Sequence, residues 1–492
     1  MRGYANTGIR PPATKRRGNQ LHKSRITRLQ IGAFGLPSIP ISALGLPIVV
    51  YLPPFYAHDM GLSLTVVGTV FMLARFWDVI TDPVLGMVSD HFPSRWGRRR
   101  HWIVISAPIL MISSYMLFMP SPPVTWVYLA GWMFVLYIGW TLITISHMSW
   151  GAELSADYDE RSTIQGVREF LLIFGMFTVL ALPAIIETVS EAGAGGAAKV
   201  AAMGWFIIIL LPVAIGLAVW LAPEFPSATD QQIPWKRAWS IIARNRLLQR
   251  VLAADLLVNI APAITGSLYI FFASYVMQLP KAASLLLLVY FIFGFIGIPF
   301  WIRISHMAGK HKTLAIAMIY GAASLPLVVF MPRGEFWWLF VGNSLYGIAY
   351  GAGSFLLRSI MADVIDIDYL ESGQRRTGLY YSLLSMTAKV GAALAVGITY
   401  PLLDFIQFNP GGENSAETLN LFMAMYVTMP ALVMLAAAAV MWRFPLDRAA
   451  QLELRQRIEK RDGKHASHEA SDAAAAIAGV GSAGGIVDRP AE

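Results

Sequence analysis

Residues 61–100 read GLSLTVVGTVFMLARFWDVITDPVLGMVSDHFPSRWGRRR. The stretch has two parts. From Gly61 to Ser89 it is apolar for long enough to cross a bilayer, which takes ~20 residues as a helix. From Asp90 to Arg100 it is a polar turn ending in the basic run Arg98-Arg99-Arg100. Three ionisable residues interrupt the apolar part: Arg75, Asp78 and Asp82. An apolar span closed by a basic loop is the repeating unit of a multi-pass membrane protein.

Working outward, similar runs lie near 30–57, 61–89, 102–120, 125–150, 169–187 and 200–222, and again near 251–277, 283–303, 313–332, 337–362, 377–403 and 418–443. That is an all-α membrane protein of twelve transmembrane helices. The first run holds Pro37, Pro40, Pro47, Pro53 and Pro54 and reads as an interrupted helix, since each proline removes a backbone donor. Composition agrees. Of 492 residues, 56% are hydrophobic and 14% charged, against ~25% charged in a typical soluble domain. The chain has no cysteine, which excludes disulfides, thiolate metal sites and cysteine nucleophiles.

The net charge is +8, and position explains it. With both termini on one side, only Lys199, Lys281 and Arg333 fall in loops of the other side, and Arg75, Arg358 and Lys389 lie inside spans. The rest of the 38 Lys and Arg sit on the side of the termini. This positive-inside asymmetry predicts cytoplasmic N and C termini in a bacterial inner membrane. It makes the basic charge a topology signal, with a lipid bilayer and no nucleic acid as partner. The expected segments are a basic, disordered N-tail (1–28), an N-terminal six-helix half (29–222), a cytoplasmic central loop (223–250), a C-terminal half (251–443) and a C-tail (444–492). The C-tail is expected to form a short amphipathic helix through Leu446, Leu452, Leu454 and Ile458, followed by a disordered Ala/Gly/Ser-rich end. No cleavable signal sequence is read at the N-terminus, because the apolar run is too long and lacks a small-residue cleavage site.

The two sets of six spans echo each other. The second span is followed by Gly86, Asp90, Arg95 and Gly97 to Arg100, and the eighth by Gly297, Arg303, Gly309, Lys310 and Lys312. After the fourth come Glu153, Asp157, Asp159, Glu160 and Arg161; after the tenth, Asp363, Asp366, Asp368, Glu371, Arg375 and Arg376. Two pseudo-symmetric six-helix halves about an axis along the membrane normal is the major facilitator arrangement, and the first loop cluster resembles that superfamily's loop signature. Gly86, Asp90, Gly97, Arg98 and Arg99 therefore read as a gating turn held by charge pairs that break as the halves rock. An orientation signal is the plainer reading of the same basic residues.

An ionisable group inside a span costs at least ~2.5–3.5 kcal/mol and usually has a function. Arg75, Asp78 and Asp82 recur at i, i+3 and i+7, on one helical face. Two carboxylates a turn apart repel, and a shared proton or a bound hard cation relieves them. A structural arginine–aspartate clamp is the competing reading for Arg75. Lys389, midway along the eleventh run, needs a carboxylate or a substrate group, and an aspartate of the second span is the natural partner. Arg358 and Asp255, near span ends, read as boundary charges. His147 is a proton-relay or hydrogen-bonding candidate, Trp150 a sugar platform or an interfacial tryptophan, and Arg168 a boundary or cavity cation.

The string Ala74-Arg75-Phe76-Trp77-Asp78-Val79-Ile80-Thr81-Asp82-Pro83, continuing through Gly86 and Ser94-Arg95-Trp96-Gly97-Arg98, resembles the second-helix signature of the glycoside–pentoside–hexuronide:cation symporter family. The resemblance extends to the acidic segments after the fourth and tenth spans and to Lys389, and so covers residues 30–443. It implies that Asp78 and Asp82 are cation-site carboxylates, that Lys389 lies near them, and that Trp150 and Arg168 contact the solute. Two departures stand out from the family's melibiose/sodium symporter. That carrier has a Lys-Asp pair in its first helix where this chain has Leu36-Pro37, and a sugar-contacting aspartate in its fourth helix where this chain has Ser146. Both argue against melibiose-like specificity.

The function expected is cation-coupled (Na⁺ or H⁺) symport of a glycoside or related small organic solute by alternating access, by a monomer with no cofactor beyond the coupling ion. The alternatives are transport of lipid-like solutes, proton-coupled export and a non-transporting sensor. An integral-membrane enzyme is disfavoured, because no paired-histidine metal motif, G-x-S-x-G or phosphate loop falls within the spans.

Overall fold

The computed structural model describes residues 26–446 except 93, 96, 156–157, 190–194, 225–240, 244 and 373–375, together with 453–454 and 456–457. Most of the N-tail, central loop and C-tail, including most of the expected amphipathic helix, lies outside the described residues.

Each apolar run is one helix. They are α1 (Arg28–His58), α2 (Leu64–His91), α3 (Arg100–Phe118), α4 (Trp126–Glu153), α5 (Tyr158–Val189) and α6 (Gly196–Leu221). The second set is α7 (Arg246–Val276), α8 (Ala283–Ala308), α9 (Lys310–Phe330), α10 (Phe336–Ser372), α11 (Thr377–Phe405) and α12 (Ala416–Trp442). The prolines of α1 act as expected. A turn at Leu36-Pro37 breaks the helix, and Pro47–Tyr51 winds as a wider π turn before the helix resumes. Where spans begin sharply, the first turn is capped. Ser63, Thr125, Asn245 and Ser415 each accept a backbone N–H from the residue three ahead.

Packing repeats the sequence symmetry. In the first half α1 packs on α5 and α6, α4 on α2 and α3, and α3 on α6. In the second, α7 packs on α11 and α12, α10 on α8 and α9, and α9 on α12. Every pair maps onto its partner six helices later. Between the halves the main seams are α2 against α11 and α5 against α8, which the same pseudo-two-fold exchanges. Helix association in lipid relies on close backbone approach at small residues, and α8 against α10 shows it. A Cβ added at Gly351 would overlap the Gly294 carbonyl, and one at Gly347 the Tyr290 carbonyl.

Odd-numbered loops share one end of the bundle and even-numbered loops the other. Toward the odd end the halves are joined. Thr65 donates to Asp404 at 2.5 Å across α2 and α11, and Glu187 of α5 accepts from the backbone N–H and hydroxyl of Ser284 on α8 at 3.0 and 2.6 Å. Glu187 is also paired with Lys199 of α6 at 2.6 Å.

Candidate functional site

Near the middle of the α2–α11 seam the ionisable residues of both helices meet. Asp78 and Asp82 follow each other one turn apart on α2, and α4 supplies a hydroxyl between them. Thr141 Oγ1 lies 2.9 Å from Asp78 Oδ1 and 3.1 Å from Asp82 Oδ1. From the opposite half, Lys389 Nζ reaches both carboxylates, 2.9 Å from Asp78 Oδ2 and 2.5 Å from Asp82 Oδ2. The two aspartates thus converge on one ammonium and one hydroxyl. Asp78 is deeply buried, whereas the side chains of Asp82 and Lys389 stay 31% and 23% exposed. The open edge of the cluster is therefore the Asp82–Lys389 edge.

Arg75 sits behind the cluster. Its Nη1 is 3.9 Å from Asp78 Oδ2, and its guanidinium lies over the rings of Tyr137 and Trp140 at 5.2 and 5.5 Å. An arginine over two aromatic faces has little freedom. It forms a rear wall to the cluster, with Lys389 as the partner from the other half. Two carboxylates thus face two cations, Lys389 in contact with both and Arg75 at the edge of ion-pair distance from Asp78 alone. Burial of both aspartates calls for something to offset their charge. In this conformation the Lys389 ammonium does so, with Thr141 and Arg75, offsetting a burial cost of several kcal/mol per ion.

The other candidates lie elsewhere. His147 Nε2 is 2.7 Å from the Phe34 carbonyl and its ring stacks on Phe34 at 4.5 Å, which ties α4 to α1. Trp150 is fully buried, its indole N–H donating to the Pro223 carbonyl at 2.9 Å and its ring under the Arg100 guanidinium at 5.5 Å. Both of its sides are occupied here. Ser146 is buried beside them, its Oγ without a hydrogen-bond partner among the described residues. Arg168 on α5 pairs with Glu169 at 2.7 Å, while its buried Nε makes no hydrogen bond among the described residues.

The loop cluster after α2 brings Gly97, Arg98 and Arg99 onto a residue the sequence reading did not single out, Glu224. Gly97 has φ +116°, a region that favours glycine, and a Cβ there would run into the Glu224 carboxylate. Glu224, just past α6, accepts the backbone N–H groups of Arg98 and Arg99 at 2.6 Å each. Arg99 donates to Glu153 of α4 at 3.0 Å and to Ser89 of α2 at 3.1 Å. Arg100 donates to the Ala222 carbonyl. These bonds join α2, α3, α4 and α6 of one half, so motion between the halves does not need to break them. In the second half Lys310 pairs with Asp363 at 2.7 Å and Arg376 with Asp368 at 3.3 Å. A Cβ at Gly86 would make only an ordinary contact with Ile145, and the Asp90 side chain lies outside the described residues.

Comparison with known proteins gives this geometry a family. Residues 33–448 match the family model described as MFS/sugar transport protein. The chain is 23% identical to the "Isoprimeverose transporter" of Lactiplantibacillus pentosus, over 85% of this chain and 88% of that protein. It is 22% identical to the "Inner membrane symporter YicJ" of Escherichia coli K12, over 81% of this chain and 87% of that protein. Among solved structures, the nucleoside transporter NupG superposes with a TM-score of 0.63 at 13% identity, covering 84% of this chain and 99% of that one, a likeness of fold. The chain belongs to the MFS/sugar transport protein family and is a multi-pass secondary transporter of a small organic solute.

Proposed function

We propose that the protein is a cation-coupled symporter of a glycoside-like solute, with Asp78, Asp82, Thr141 and Lys389 as its ion-coupling group. The observation that carries this reading is the convergence of two aspartates of one half on one lysine of the other, at 2.9 and 2.5 Å. An ion pair across the seam holds the halves together at mid-membrane. A Na⁺ or H⁺ on Asp82 and Asp78 removes the attraction for Lys389 and frees α11 to move against α2. Coupling follows because the cation and the ammonium compete for the same oxygens, so the ion binds the two conformations with different affinity. The solute lies between the halves at the open Asp82–Lys389 edge.

The positive-inside asymmetry supports even-numbered loops and both termini in the cytoplasm of a bacterial inner membrane. The joined odd end is then the outward side. The names of the two relatives support a glycoside class and an inner-membrane setting. The bond-free sides left to Asp82 suit a hard monovalent ion of either kind.

The test is uptake into vesicles under an imposed Na⁺ or proton gradient. Asp78→Asn is expected to express and insert normally and to lose gradient-driven accumulation, while solute counterflow without a gradient persists. Accumulation at the wild-type rate in Asp78→Asn would remove the coupling assignment.

A further inference from the structure

Asp255 plays no part in the coupling group. It lies on α7, within the second half, and is only 6% exposed. Among the described residues no cation stands within ion-pair distance of it. The charged groups on the elements around it are accounted for. Lys389, on neighbouring α11, is turned to Asp78 and Asp82. Arg250, on α7 itself, is held by the Val440 and Arg443 carbonyls. Arg358 of α10 is the one cation whose field reaches Asp255, and it is exposed. Its close side-chain partners are neutral: the hydroxyl of Thr387, with Oγ1 at 2.5 Å from Asp255 Oδ2, and the amide of Asn259, one turn on along α7.

That hydroxyl has one hydrogen and three acceptors around it. Besides Asp255, Thr387 Oγ1 is 3.1 Å from the Leu383 carbonyl and 2.9 Å from the Leu384 carbonyl of its own helix. These are the usual back-bonds of a threonine inside a helix. With the hydroxyl hydrogen spent on them, the hydrogen in the 2.5 Å contact belongs to Asp255. The physical cost points the same way. A buried carboxylate with no counter-ion takes a proton in preference to carrying its charge.

We infer that Asp255 is a proton-binding site of the second half, occupied in this conformation, with the carboxylic acid donating to Thr387. Thr387 stands two residues before Lys389 on α11. One helix therefore carries both the partner of this proton and the ammonium that answers Asp78 and Asp82. The acid gives its proton to water when α7 and α11 separate enough to wet the contact, and it takes one back on closing. The assignment of the proton stands on the local geometry. Only its link to transport rests on the coupling role proposed for Asp78 and Asp82.

Infrared difference spectroscopy on the purified full-length protein in lipid, at neutral pH, tests it. Asp255→Asn keeps the neutral shape, and it is expected to lose one carbonyl band of a protonated carboxyl relative to wild type. Thr387→Val keeps the acid but removes its acceptor, and is expected to shift that band without removing it. Asp78→Asn is expected to leave the band in place. Spectra in which neither Asp255→Asn loses a band nor Thr387→Val shifts one would overturn the inference. Loss of the band in Asp78→Asn, with Asp255→Asn unchanged, would also overturn it, by placing the buried proton in the coupling group and leaving the proposed function standing.

Discussion

At the scale of single residues, Lys389 is the member of the cluster whose removal is most informative. Lys389→Met deletes the ammonium and leaves Asp78 and Asp82 facing each other with Thr141 and a distant Arg75. Breaking a buried pair by removing one partner costs ~3–5 kcal/mol, and the partial exposure of Asp82 places the expected loss at the low end. Thermal unfolding of the purified variant should show a lowered midpoint that a monovalent cation partly restores, since the ion fills the vacated place. Arg75→Lys should weaken the cluster without abolishing it. A lysine keeps the charge but not the flat contact with Tyr137 and Trp140. Stability falling by ~1–2 kcal/mol, with gradient-driven uptake retained at reduced rate, is the expected pattern, the figure being that of a partly desolvated cation–π contact.

At the scale of elements, two glycines show what close approach requires, one in a helix seam and one in a loop turn. Gly351 lets α10 lie directly on α8, so Gly351→Leu should prevent the second half from assembling, read as loss of monodisperse protein on extraction from the membrane. Gly97→Ala is milder. It forces a side chain into a positive-φ turn and against Glu224, at a strain of ~1–2 kcal/mol, which should lower the unfolding midpoint while leaving ion coupling intact. The elements themselves were legible in the sequence because a span of ~20 apolar residues is an unambiguous pattern. The broken course of α1 was legible from Pro37 and Pro47. Asp78, Asp82 and Lys389 were legible as charges that a membrane does not tolerate unpaired. Thr141 and Glu224 were not. A threonine in a span carries no penalty that marks it, and a glutamate at a loop edge looks like any solvated charge until a turn folds onto it. Asp255 looked like a boundary charge because sequence position gives depth along a span but not which neighbours close over it.

At the scale of the whole molecule, the two halves are exchanged by one pseudo-two-fold, and α2 against α11 is the seam on which the proposed mechanism depends. Thr65 and Asp404 join that seam at the odd end, and the chain's lack of cysteine makes them convenient sites for a cross-link. A Thr65→Cys, Asp404→Cys double variant should lose transport when oxidised and regain it on reduction, because the odd end can then no longer open. Undiminished transport in the oxidised, cross-linked protein would show that this end does not move.

The central claim is that Asp78 and Asp82 exchange Lys389 for a small cation. Direct binding measures this most simply: calorimetric titration of the purified protein with Na⁺ at constant ionic strength, with proton release or uptake followed over the same range of pH. Wild type is expected to take up one cation saturably, Na⁺ or H⁺, with the two competing, and Asp78→Asn to take up neither. Cation binding in Asp78→Asn equal to that of the wild type, in affinity and stoichiometry, would contradict it.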